Sequence, residues 1–374
     1  MRPIGVSAVL VIACLAQPLV AQQPATTGPW KVLKSARVGG EGGYDYIYAD
    51  VAGRRLYIPR GGSRAVPATD STPARAAVPG RITVFDLETL APVGEIPNSG
   101  GQGVVVDPKY NHGFSSSQAV SMFDTKSLKL IRQIDVAPAR PDGILFDAFN
   151  HRVYVFSHPT KNATVIDAKD GTVLGTIDLG GVPEEAVSDG KGTMYVVMQD
   201  SAGSVTVVDT KTMKPTAHYS LGDRGRCNGL ALDAKHHILF AACAQSGNPP
   251  ADPPQPMMVI LSATNGAILD SLPLAGRSDG AVFDPATMEA FSTHSNGTLT
   301  VVKEMSPTTF EVEENLQTMV GARTITLDTR TNHIFTMSLE RAPAPPAAPG
   351  ATDRGREGFG PAVPGSFTIL MIGR

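Results

Sequence analysis

At 374 residues, with 18% charged and 42% hydrophobic residues, the chain has the composition of a protein with a globular core, and its 38 Gly and 30 Pro imply many turns and few long helices. The formal net charge of −3, with Lys and Arg scattered, excludes the electrostatic footprint of a nucleic-acid or anionic-membrane binder. Closed all-β folds reach this length as one domain.

Arg2, the apolar run over residues 4–15 and the small residues Ala16 and Ala21 read as an export signal, residues 1–21. The run is too short to anchor the chain in a bilayer, and no later segment is long enough to span one. Val11-Ile12-Ala13-Cys14 also fits a lipoprotein box, which would leave Cys14 lipidated; plain cleavage is the alternative. Either way the mature chain is expected in the periplasm or outside the cell, as a monomer.

From residue 30 the chain repeats. One unit is an apolar strand ending in Asp, a polar turn, a strand opening on Tyr or Phe, a third strand ending near Asp, and a fourth apolar strand. The first-strand Asp recurs at Asp50, Asp107, Asp147, Asp189, Asp233, Asp284 and Asp328, at spacings of 57, 40, 42, 44, 51 and 44 residues. Short β-branched runs bounded by Gly, Asn and Asp are strands, and this period suits a four-stranded propeller blade. Seven anchors give an all-β, seven-bladed β-propeller over residues 30–374. The last unit has only three strands, whereas residues 31–40 match the fourth strand of other units, such as residues 173–181. The N-terminal strand is therefore expected to complete blade seven and remove the open sheet edge. Each anchor Asp is read as a turn residue bonding its own backbone.

Tyr154-Val155-Phe156-Ser157, Tyr195-Val196-Val197-Met198 and Val205-Thr206-Val207-Val208-Asp209-Thr210 carry a resemblance to the 40-residue YVTN-type propeller repeat of exported bacterial and archaeal proteins. It covers nearly all of the mature chain. It departs in lacking the motif's Asn and in having Ser262, Lys303 and Leu370 near the third-strand Asp position of blades five to seven. The resemblance implies binding or scaffolding roles and no single reaction.

First strands line the channel of a propeller, and the turns entering them open on the same face as the loops between strands two and three. Five residues before the anchors stand Asp45, Gln102, Asp142, Glu184, Asn228, Asp279 and Arg323, a polar ring expected around one channel mouth. The ends of the second strands add Arg60, His158, Cys243 and His294. Such a set suits a small polar ligand or a divalent cation, and it equally suits a wet channel with no ligand. Three Pro-, Ala- and Gly-rich insertions, residues 61–80, 245–256 and 340–365, are expected over the same mouth as decoration or as a lid or partner site. A hairpin turning at residues 234–237 places Cys227 opposite Cys243, so a disulfide is expected, with two buried thiols as the alternative.

The zincin, nucleophile-elbow, haem-attachment and phosphate-loop motifs are all missing. A non-enzymatic binding or scaffold propeller without cofactor, holding a small polar ligand or a protein at the mouth, is therefore the first reading. The second is a metal-assisted, lactonase-like hydrolase in which Asp45, Asp142, Glu184, Asn228 and Asp279 position a divalent cation. A third, an electron-transfer partner like the propeller chains of amine dehydrogenases, requires a second, cofactor-bearing chain.

Overall fold

A computed structural model describes residues 28–68, 73–74, 76–117, 119–136, 141–244, 255–343 and 359–374. The export-signal segment, Cys14 and most of the blade-five insertion lie outside the described residues. Within them the regular structure is all strand, and no helix is long and apolar enough to cross a membrane. Seven four-stranded antiparallel sheets form a ring, each innermost strand touching the next and blade seven meeting blade one. The chain is a seven-bladed β-propeller.

Blade three shows why these residues form these strands. Its strands are Pro141–Asp147, Arg152–Ser157, Asn162–Asp167 and Val173–Asp178. The middle two are almost continuously apolar because neighbouring blades cover both their faces. The outermost is largely solvated. In every blade a register shift interrupts the pairing of the two outer strands, and such bulges raise the local twist.

The anchor aspartates act as turn residues. Asp107, Asp233 and Asp284, for example, accept the backbone N–H two residues on at 2.8, 2.9 and 2.8 Å. Several also reach the adjacent blade. Arg54 of blade one pairs with Asp328 of blade seven at 2.8 Å, His151 of blade three lies 3.0 Å from Asp107 of blade two, and Ser188 of blade four donates to Asp147 of blade three at 2.8 Å. In blade five Ser262 replaces the third-strand Asp and accepts the Thr264 N–H at 3.2 Å.

Ring closure uses both ends of the described chain. The strand Lys31–Arg37 pairs antiparallel with Thr368–Gly373, giving blade seven its outermost strand. Trp30, 2% exposed, packs edge-on against Phe291 at 4.8 Å, and its backbone N–H donates to Glu314 Oε2 at 3.0 Å. Cys227 and Cys243 face each other across the first two strands of blade five and are joined as a disulfide.

Candidate functional site

All seven ring positions line one cavity of about 660 Å³ at the channel mouth. They converge because each first strand enters the channel at the same height above its anchor turn, so counting back a fixed number of residues selects one layer. The volume is within the range of small-molecule sites.

The polar groups pair around the rim. Arg323 lies between two carboxylates, 3.3 Å from Asp279 Oδ2 and 3.7 Å from Asp45 Oδ1. Gln102 donates its amide to Asp45 Oδ2 at 3.0 Å. His158 Nε2 is 2.8 Å from Asp142 Oδ2 and 3.4 Å from Glu184 Oε1, and Gln199 donates to that same Glu184 oxygen at 2.5 Å. Among the described residues lining the cavity, four carboxyl groups thus face one guanidinium and one imidazole.

Burial and mutual repulsion set the protonation of this layer. Glu184 is 7% exposed; its carboxyl is pushed up to about 9, first by desolvation and then by Asp142, Asp279 and Asp45. Asp45 is raised to about 7 by desolvation and by Asp279, while Arg323 opposes the shift. Burial raises Asp279 as well. The imidazole of His158 is raised by its hydrogen bond to Asp142.

These shifts fix the sign of a pH dependence. The Glu184 carboxyl holds its proton in the folded protein up to about pH 9, against 4.5 for the ordinary carboxyl. Its contribution to stability is fully present below the unfolded value and is lost as pH rises through the folded one. Glu184→Gln is therefore expected to be more stable than wild type at pH 9, by on the order of 2 kcal/mol, with the gap closing at pH 5. Thermal melts of both proteins across that range check the sign.

Three residues expected at the mouth, Arg60, Cys243 and His294, do not line the cavity. Arg60 is 1% exposed and turns inward: its Nη2 donates to Gly40 O at 3.2 Å and Gly42 O at 3.1 Å, and the guanidinium stacks on Phe367 at 3.8 Å. His294 is fully buried, bonded through Nδ1 to Thr298 Oγ1 at 2.9 Å, with its imidazole pushed down to about 3 by desolvation and so neutral. The physical reason is strand alternation. Arg60, Cys243 and His294 each end a second strand and face the interior, whereas His158 stands one residue beyond the strand end at Ser157. Gln199, one residue beyond Met198, is the blade-four equivalent of His158 and lines the cavity too.

Below the ring, the position four residues before the anchor is Gly103, Gly143, Gly229 and Gly280 in four blades but Tyr46 and Glu185 in two others. Glu185 reaches across the channel and accepts the Leu230 and Ala281 N–H groups at 2.8 and 3.0 Å; desolvation nevertheless raises its carboxyl to about 8. Tyr46 borders the mouth, and both residues border a second, mostly apolar channel cavity of about 500 Å³ lined by Ile144, Phe146, Val187 and Leu232. Together they give the polar mouth a floor.

Two of the three insertions are partly described. Ser63 bridges to Val78 across the stem of the first, and Arg341–Pro343 pairs with Phe359–Ala362 in the third.

No protein-family model and no curated protein matches the chain. Among solved structures it is similar to Kuenenia stuttgartiensis hydrazine synthase, with a TM-score of 0.63 and 14% identity over 79% of this chain and 92% of that one. It is also similar to U3-55K, with a TM-score of 0.65 and 9% identity over 91% of this chain and 98% of that one. Identities this low speak to the propeller fold alone.

Proposed function

We propose that this chain is an exported binding propeller, of the YVTN-type repeat group it resembles, that holds a small, positively charged polar ligand at its acidic channel mouth. The observation that carries the proposal is the charge balance of the cavity. Among the described residues that line the cavity, Asp45, Asp142, Glu184 and Asp279 meet the cationic side chains of Arg323 and His158, and the Glu184 carboxyl is held protonated to about pH 9 by burial and like charge. A bound cation would favour the ionised forms of Glu184, Asp45 and Asp279, so the repulsion within the layer becomes ligand affinity. The floor of Tyr46 and Glu185 makes the mouth a cup. Export is supported by the apolar N-terminal run and by the Cys227–Cys243 disulfide, which suits an oxidising compartment.

The test is a thermal-shift series on the mature protein with 1,4-diaminobutane, Ca²⁺ and uncharged erythritol. At least one cationic probe is expected to raise the melting temperature of wild type, more at pH 8 than at pH 6, and to lose that effect in Asp142→Asn and Asp279→Asn. Equal or greater stabilisation by erythritol would overturn the proposal.

One feature favours the hydrolase as a second reading: His158 Nε2, Asp142 Oδ2 and Glu184 Oε1 lie within 4.8 Å of one another. With a divalent cation there, a lactone carbonyl could be polarised. That reading expects lactone hydrolysis abolished by a chelator and by His158→Gln; no turnover with added Zn²⁺ or Mn²⁺ would remove it.

A further inference from the structure

On the opposite face of the ring, where the anchor turns lie, the junction of blades five and six brings two carboxylates together. At three junctions an anchor Asp meets one donor from the next blade: Arg54 on Asp328, His151 on Asp107, Ser188 on Asp147. Blade six presents Met288 at the turn position that Arg54 and His151 occupy, and so offers no donor. Instead its third strand brings Glu304, a second carboxylate, against Asp233.

Both carboxylates approach one nitrogen. His236 Nδ1 lies 2.7 Å from Glu304 Oε1 and 2.8 Å from Asp233 Oδ2, and it carries at most one hydrogen. That hydrogen satisfies the geometry toward Glu304, while Asp233 Oδ2 and Glu304 Oε2 are buried without a hydrogen-bond partner. The two residues are 1% and 3% exposed, and two carboxylates sharing one imidazole hydrogen at such depth are costly. Asp233 Oδ1 is already committed to the Lys235 N–H at 2.9 Å, which leaves Oδ2 free to ligate.

We propose that Asp233, His236 and Glu304 form a binding site for a divalent first-row transition-metal ion that clamps blades five and six. Two carboxylates and a neutral imidazole balance a doubly charged ion. One nitrogen and two oxygens suit Mn²⁺, Fe²⁺ or Zn²⁺ better than the all-oxygen preference of Ca²⁺. The donor separations of 2.7 and 2.8 Å approach the ~2.8–3.0 Å edge of an octahedron with ~2.0–2.1 Å bonds. The partly exposed edge of His236 supplies an entry path, since its side chain is 25% accessible.

The experiment is a Mn²⁺ titration of the metal-stripped mature protein, followed by the loss of the free-ion EPR signal, in wild type, His236→Gln, Glu304→Gln and His158→Gln. The last variant counts any ion held at the mouth separately, so this proposal and the mouth reading fail independently. Wild type and His158→Gln are expected to share one bound equivalent whose affinity falls by more than ~100-fold in His236→Gln and Glu304→Gln, beyond the range of outer-shell changes. Saturating Mn²⁺ is expected to raise the melting temperature of wild type and not of those two variants. Metal-free melts establish that each variant is folded, and His236→Gln, altered at the more accessible residue, stands in if Glu304→Gln does not fold. Wild type that takes up no Mn²⁺ or Zn²⁺, or uptake unchanged in His236→Gln, would overturn the site.

Discussion

A chain lacking residues 30–37 is expected to lose cooperative unfolding altogether. The deletion removes the outermost strand of blade seven, whose partners run from Lys31 opposite Gly373 to Arg37 opposite Thr368. An open sheet edge is left behind. It also removes the buried Trp30 ring from Phe291 and takes from Glu314 its backbone donor. Truncating a buried Trp alone costs ~3–5 kcal/mol, and the lost strand pairing and apolar contact of Val32 add to it. The sum is comparable to the ~5–15 kcal/mol that holds a typical protein folded. Circular dichroism melts and size-exclusion chromatography should show a broad transition and self-association, where an intact ring melts sharply as a single species.

Arg60→Met is expected to destabilise by ~3–4 kcal/mol while leaving ligand capture at the mouth unchanged. The guanidinium is bonded to the carbonyls of Gly39, Gly40 and Gly42, which connect the closing strand to blade one. Charged hydrogen bonds contribute ~1.5–3 kcal/mol each, and the partial exposure of Gly39 and Gly42 and the exposure of Gly40 hold the sum near the lower end. Phe367 keeps an apolar neighbour in the methionine, so the loss reports mainly on the polar contacts. Urea melts give the magnitude. An Arg60→Met protein of wild-type stability but impaired binding would mean that Arg60 belongs to the site after all.

The fold was legible because its period is written in residues that the backbone itself requires. An Asp that must accept its own turn's N–H groups recurs once per blade, and the missing fourth strand of the last unit is matched by residues 31–37. The ring of seven followed from the same register, since a fixed step from each anchor selects one layer of the channel. Strand two offered no such ruler: its ends vary, and a slip of one residue exchanges the interior for the mouth. Hence Arg60 and His294 were expected where His158 and Gln199 stand. Tyr46 and Glu185 had a signal in the sequence, the glycines that occupy their position in four other blades, but what Glu185 reaches lies 45 and 96 residues further on. The Asp233–His236–Glu304 cluster had none, because Glu304 is 68 residues from His236 and meets it only once the blades stack.

The most direct test of the acidic mouth is calorimetry of wild type with the most stabilising cationic probe at pH 8, repeated in buffers of different ionisation heat. Because Glu184 holds a proton that a cation would displace, binding is predicted to release about one proton and to tighten by up to ~10-fold per pH unit between pH 7 and 8, with the release diminished in Glu184→Gln. Binding without proton release and without pH dependence would contradict the account.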